Sequence, residues 1–310
     1  MKQITEILGI KYPIFQGAMA QISKHQLAAA VSNAGGLGII ASGGMTEEQL
    51  REEVIQCKKL TDKPFAVNIM LMAPNVPDMV KVVVEEGVKI VTTGAGTPKN
   101  YMETFKEANI KVIPVVPSAI LAKKMEAIGA TAVVAEGSEA GGHIGELSTM
   151  VLLPQVVAAV KIPVIAAGGI GCGKGMAAAY TLGAQGVQMG TAFMLANECP
   201  IPENVKEFIA NAKEMDTAVT GRNGGAPVRS LKNKMIEQYI QWEKENMPRE
   251  QLEELTMGSA RKAAAGDIEN GSVMAGQVSG LINEVKSAQQ IVDDVLAEAK
   301  VTIKNVQLNF

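Results

Sequence analysis

Eight short apolar runs, separated by stretches of helical periodicity, fill the chain up to about residue 195. The runs lie at 13–17, 37–40, 65–68, 90–92, 111–115, 131–135, 163–167 and 186–190. Between them, 24–33, 46–60, 77–86, 99–108, 118–128, 152–160 and 174–182 carry helical patterning, with Thr46, Thr97 and Ser118 as helix N-caps. The runs are almost wholly apolar rather than alternating, which suits parallel strands covered on both faces. Eight such strands with seven intervening helices predict an α/β fold, a (β/α)8 TIM barrel. A doubly wound open sheet is the competing arrangement.

After Asn197 the composition changes. Residues 198–270 are charge-dense and helical, as in Lys234-Met-Ile-Glu-Gln-Tyr-Ile-Gln-Trp-Glu-Lys-Glu245, and offer no clear strand. The expected organisation is therefore a barrel over 1–197, a small helical subdomain over 198–270, and a segment 271–310 returning to the barrel. The subdomain is either a structural cap or a lid over the barrel mouth. A final helix near 287–300 would close the barrel.

Composition excludes several functions. Of 310 residues, 47% are hydrophobic, enough for a large core, and only 4% are aromatic, which argues against base stacking on nucleic acid. The net charge of -3 comes without a Lys/Arg block, so nucleic acid and anionic membrane are poor partners. The most apolar stretch, 150–169, is interrupted by Pro154, Gln155, Lys161 and Pro163 and is no membrane span. The N-terminus shows no signal-peptide pattern. Cys57, Cys172 and Cys199 match no metal or redox spacing. These features describe a cytoplasmic protein with reduced cysteines and no metal site.

Chemistry is expected where strands meet loops at one end of the barrel. After the sixth run comes Glu136-Gly-Ser-Glu-Ala-Gly-Gly-His143. Gly141 and Gly142 let backbone approach a flat ligand, and one of only two histidines follows them. His143 is the candidate for proton transfer near neutral pH, whereas His25 reads as packing on an early helix. Glu136 suits cofactor hydroxyls, or else a surface salt bridge. The seventh and eighth runs end in Gly168-Gly169 and Gln188-Met-Gly190-Thr191, positions where barrels often bind phosphate. A helix N-terminus near Lys174 would add a favourable dipole. Gly17, Ala18 and Met19 end the first run and would let a planar ring lie on backbone. Asn68, ending the third, offers a donor and an acceptor to a heterocycle edge or a ribityl chain. Met19 and Met70 are equally readable as core.

The sequence Gly168-Gly-Ile-Gly-Cys-Gly173-Lys174-Gly175 fits G-x-x-x-x-G-K, but glycine follows where Ser or Thr would hold Mg²⁺. It is read as neither a nucleotide P-loop nor a Rossmann turn.

Several of these stretches carry a resemblance. Tyr12-Pro-Ile-Phe-Gln-Gly-Ala-Met19, Asn33-Ala-Gly-Gly-Leu-Gly38, Asn68-Ile-Met70, Glu139-Ala-Gly-Gly-His143 and Ala166-Ala-Gly-Gly-Ile170 recur in the nitronate monooxygenase-like flavoproteins. The resemblance covers nearly the whole chain. Val91-Thr-Thr-Gly-Ala-Gly96, Ile113-Pro-Val-Val-Pro-Ser118 and Gly271-Ser-Val-Met-Ala-Gly-Gln277 make it similar to the FMN-dependent enoyl-acyl-carrier-protein reductases of bacterial type II fatty-acid synthesis.

The resemblance implies bound FMN, NADH or NADPH as co-substrate, enoyl-acyl carrier protein as substrate, and a homodimer. His143 falls at the family's active-site histidine. Ser272 and Met274 would line an acyl channel. Acyl carrier protein is acidic, so Arg222, Arg229, Lys232 and Lys234 are candidates for a basic docking rim, or else a solvated face. A nitronate monooxygenase or a flavin-dependent quinone reductase would share the same ring site and histidine. A non-catalytic flavin-binding protein is the remaining class.

Overall fold

The computed structural model describes residues 2–306. Met1 and residues 307–310, the end of the expected closing segment, lie outside the described residues. In chain order the strands are β1 (Ile14–Gln16), β2 (Gly38–Ala41), β3 (Phe65–Met70), β4 (Ile90–Gly94), β5 (Lys111–Val116), β6 (Val133–Glu136), β7 (Gly142–His143), β8 (Val164–Ala167), β9 (Gly186–Met189), β10 (Thr217–Thr220) and β11 (Val228–Leu231). Eight of them form one parallel sheet in the order β1-β9-β8-β6-β5-β4-β3-β2. A parallel bridge from Phe15 to Leu37 joins its two edges, so the sheet closes into a TIM barrel. Each expected strand is present, with ends displaced by no more than two residues.

The apolar runs become strands because both faces are covered. Phe15, Ile39, Ala66, Ile90, Ile113, Val134 and Ile165 fill the barrel interior. Ile14, Val67, Val91, Ala135 and Val187 face outward into the layer beneath the helices. Thr46 and Ser118 cap their helices as expected. The turn after Thr97 opens as a 3-10 turn, Lys99–Tyr101, with Pro98 in the formal cap position, and Thr97 Oγ1, one residue earlier, accepts from Lys99 N at 3.4 Å. The helix Ala288–Asn305, opened by a Ser287–Gln290 capping box, packs on Gly173–Thr181 and His25–Asn33 and completes the ring. Among the described residues no helix is long and apolar enough to cross a membrane.

The seam between β1 and β2 is held partly by a side chain. Gln16, fully buried, accepts the Ile39 N–H on Oε1 at 3.0 Å and donates from Nε2 to Ser23 Oγ at 2.8 Å. Its amide takes the place of a ladder carbonyl that the short β1 does not supply.

The expectation of a strand-free segment at 198–270 is overturned. β10 and β11 lie inside it as an antiparallel pair, with Thr217 opposite Leu231 and Thr220 opposite Val228. The outer edge of β11 pairs with β7, placing Val228 opposite His143 and Arg229 opposite Gly142. Thr-Ala-Val-Thr and Val-Arg-Ser-Leu are too short and too polar to register as apolar runs. The helices Lys234–Lys244, Arg249–Thr256 and Ser259–Ala264 follow the hairpin.

Replacing Gln16 by Leu keeps the volume but orphans the buried Ile39 N–H. Urea unfolding should show a loss of about 1–3 kcal/mol. An unchanged midpoint would mean that the seam does not depend on the side chain.

Candidate functional site

The ends of β1, β6, β8 and β9 converge on a cleft at the C-terminal end of the barrel. Gly17, Ala18, Met19, Glu136, Gly141, Gly168, Gly169, Gln188, Gly190, Thr191 and Met274 all line it. Eleven of the residues expected from sequence thus meet in one place. The inner face explains part of this convergence, because residues two apart on a strand point the same way. Glu136 follows Val134 on that face, and Gln188 pairs in register with the inward Phe15. Asn68 shares the inner face with Ala66 but sits on β3, outside this arc, and donates to Thr92 Oγ1 at 2.9 Å.

The glycine loops meet the requirements of a phosphate cradle. Gly168 and Gly169 take φ of +89° and +72°. A Cβ on Gly168 would lie 2.6 Å from Gly137 O, so this turn excludes other residues. The N–H groups of Gly169, Gly190 and Thr191 meet no acceptor among the described residues. They line a cleft of about 80 Å³ together with Gly17, Ala18 and Met274. The expected dipole near Lys174 is not available to such a phosphate. Glu298 of the last helix accepts from Gly173 N at 2.7 Å and from Lys174 N at 3.3 Å, and so occupies that helix end.

Glu136 makes no ion pair among the described residues, so it is not part of a surface salt bridge. Burial pushes its carboxyl up from 4.5 to about 7. Its neighbour in the loop, Glu139, has a structural task that its place in the motif did not disclose. Its carboxylate accepts from Thr149 N at 2.9 and 3.1 Å and caps the helix Thr149–Ala159. The Glu139 carbonyl accepts from Gln277 N at 2.9 Å, and Thr191 Oγ1 accepts from Gly276 N at 3.0 Å. The segment after residue 270 is therefore pinned across the cleft. Gly276 and Val278, which line the cleft, are reached only through this return of the chain.

His143 and Gly142 lie outside the cleft lining, on β7. His143 is exposed, and its register partner Val228 lines a second cavity of about 520 Å³. Opposed residues of an antiparallel pair project to one face, so the imidazole and this cavity share a side of the small sheet. The cavity lies beneath the helices at 234–256, with Ile236, Tyr239, Met247 and Leu252 in its wall. Met274 belongs to both spaces and Ser272 only to the second, where its Oγ lies 2.8 Å from Ser230 Oγ.

The basic rim is smaller than expected. Arg229 is 8% exposed and turned inward, donating to Ser138 O and Thr217 Oγ1. Strand alternation puts it on the face opposite Val228, a placement that follows only from pairing with β7. Arg222 and Lys234 are exposed but paired with Glu146 and Glu269, contacts worth little at a surface. Lys232 is exposed. His25 takes a structural place, with Nδ1 2.6 Å from Glu53 Oε2.

A model of the nitronate monooxygenase family matches residues 1–85 and 74–298. A (3aS,4S,5R,7aS)-5-hydroxy-7a-methyl-1-oxo-octahydro-1H-indene-4-carboxyl-CoA dehydrogenase of Mycobacterium tuberculosis is 33% identical, across 96% of this chain and 95% of its own. A probable nitronate monooxygenase of Staphylococcus saprophyticus is also 33% identical, across 96% of this chain and 97% of its own. Among solved structures, FabK from Thermotoga maritima superposes with a TM-score of 0.95 at 49% identity, covering 98% of each chain. A nitroalkane oxidase from Streptomyces ansochromogenes gives 0.87 at 28% identity, covering 98% of this chain and 99% of its own.

Because the folded pKa of Glu136 lies above the unfolded one, the folded protein retains a proton that the unfolded chain has released. Stability should fall as pH rises from 4.5 to about 7, with the loss complete above that window. Glu136→Gln should flatten this slope and add on the order of 1–3 kcal/mol at about pH 8 in urea unfolding of the ligand-free protein. Parallel pH profiles for the two proteins would show that the carboxyl is not buried at a cost.

Proposed function

We propose that this chain, which belongs to the nitronate monooxygenase family, is an FMN-dependent enoyl-acyl-carrier-protein reductase using NADH or NADPH. The observation that carries this reading is the 49% identity to FabK, sustained over 98% of both chains. The apolar cavity that shares Met274 with the barrel mouth supports it, since it offers an acyl chain a place beside the ring site. The relative named for a carboxyl-CoA substrate also works on a thioester, the same chemical class. The protein would act in the cytoplasm as a homodimer.

The residues of the cleft divide the work. The N–H groups of Gly169, Gly190 and Thr191 would hold the FMN phosphate. Gly17, Ala18, Met19, Gly141 and Gln188 would contact the ring or its side chain, and Glu136 the cofactor hydroxyls. FMN held there would supply hydride transfer from the nicotinamide to the β-carbon of a trans-2-enoyl thioester. His143 would supply the proton that the α-carbon needs as the double bond is reduced. Met274, flexible and apolar, would form the wall between ring site and acyl cavity, with Ser272 deeper in the channel.

A nitronate monooxygenase is the second reading, favoured by relatives named as probable nitronate monooxygenases and by the nitroalkane oxidase likeness. The two differ in electron flow, and an anaerobic absorbance experiment separates them. NADH or NADPH should bleach the flavin, and a trans-2-enoyl thioester should restore the colour. Bleaching by a nitronate and not by either nicotinamide would replace the reductase reading with the oxidase one.

His143→Ala should keep its FMN and bleach normally, yet be reoxidised by enoyl thioester about 10²-fold more slowly. An unaltered reoxidation rate rules out the proton-donor role. Reversing Arg222 and Lys232 to Glu should raise KM for carrier-protein substrates several-fold, roughly in line with the loss of rim charge. Short acyl-CoA substrates should be spared, and equal effects on both would remove the docking rim.

A further inference from the structure

We propose that Arg229 is the positioning residue for His143, and that the small sheet it anchors ties the imidazole to the acyl cavity. This rests on the reductase reading above.

The histidine stands on weak local structure. β7 has only two residues, and β11 is its neighbour in the sheet. Gly142 holds φ of +80°, outside strand geometry, and as a glycine it loses more freedom on folding than other residues do. A pairing this short has little stability of its own. The imidazole therefore keeps its place only if something else fixes the loop that carries it.

Arg229 supplies that second fixture. Its backbone pairs with Gly142 in the ladder, and Ile144 N donates to Pro227 O at 3.1 Å just beyond. Its guanidinium reaches back along the same loop. Nη2 and Nε donate to Ser138 O at 3.1 and 3.3 Å, and Nη1 donates to Thr217 Oγ1 on β10 at 3.0 Å. One residue thus holds the loop at both its start and its end and binds it to the hairpin. Lysine has no planar fork with which to make these contacts together.

The guanidinium is an expensive choice for this place. It is buried and has no carboxylate within ion-pair distance among the described residues. Burial, with help from Arg222, lowers its pKa, while Glu139 opposes the shift. An apolar residue of similar size would pack here without the desolvation cost. Geometric control of the loop is a return that packing alone does not give.

The same sheet reaches the cavity. Val228 lines it and sits opposite His143. Leu231 N donates to Val273 O, next to Met274. An acyl chain pressing on Val228 would bear on β11, the strand paired with the one that carries the proton donor.

The test uses the FMN-loaded enzyme and times its two half-reactions separately by stopped-flow absorbance. Arg229→Lys should retain FMN and be bleached by nicotinamide at a rate near wild type. Its reoxidation by enoyl thioester should slow by roughly tenfold to a hundredfold, the cost of a misplaced donor. Thr217→Val, which removes one contact, should give a smaller loss in the same half-reaction. On the His143→Ala background, Arg229→Lys should add almost nothing, because both changes remove one function. A further tenfold or larger loss on that background would make Arg229 independent of His143 and overturn the proposal, as would an unslowed reoxidation in Arg229→Lys. Parallel loss of FMN and of both half-reactions would assign it a purely structural role and overturn the proposal too. If wild type is not reoxidised by enoyl thioester at all, it is the reductase reading that fails.

Discussion

Closure of the parallel sheet is the constraint on which everything else rests. An open edge on β1 or β2 would leave buried N–H and C=O groups unpaired, and each such group costs more than a made hydrogen bond returns. The strand β1 is short, and its bridge to β2 is a single pair, Phe15 with Leu37. Gln16 completes the seam by lending its amide to Ile39 and Ser23. With the ring closed, the ends of β1, β6, β8 and β9 are brought within reach of one ligand. In an open sheet, β1 and β9 would still pair, but the arc they form would not face an enclosed interior.

The loops at that end follow one principle of construction. Backbone N–H groups are left without protein acceptors where an anion is expected, and bonds are made wherever a loop must hold still. Glu139 caps a helix, Glu298 caps another, and Thr191 holds Gly276. The caps satisfy helix ends that would otherwise attract a phosphate to the wrong place. Among the described residues, the N–H groups of Gly169, Gly190 and Thr191 are among those that stay available. On the proposed reading, specificity of cofactor placement would come as much from closing competing sites as from building the right one.

Much of this was readable in the residues. The eight runs could be counted because parallel strands buried on both faces are continuous in apolar character. The cleft residues could be named because they follow those runs, and strand ends collect at one mouth. The misses have a common cause. Thr217–Thr220 and Val228–Leu231 are strands by virtue of pairing partners, not of their own composition. Arg229 was read as a surface charge because sequence gives residue type and not direction.

From sequence alone came the eight strands along the chain, the expectation of a barrel over an open sheet, the glycine turns and the histidine that follows them, since strands and turns are marked by local periodicity or by what a single residue type permits. Tertiary structure alone decided that Glu298 shuts one helix end, that Gly276 and Val278 cross back over the cleft, and that His143 sits on a strand paired with β11. These are contacts between residues some 85 to 125 positions apart, as for β7 with β11, Thr191 with Gly276, and Gly173 with Glu298. No local pattern encodes such pairings. They exist because the chain, once closed into a ring, has few other ways to satisfy its buried polar groups.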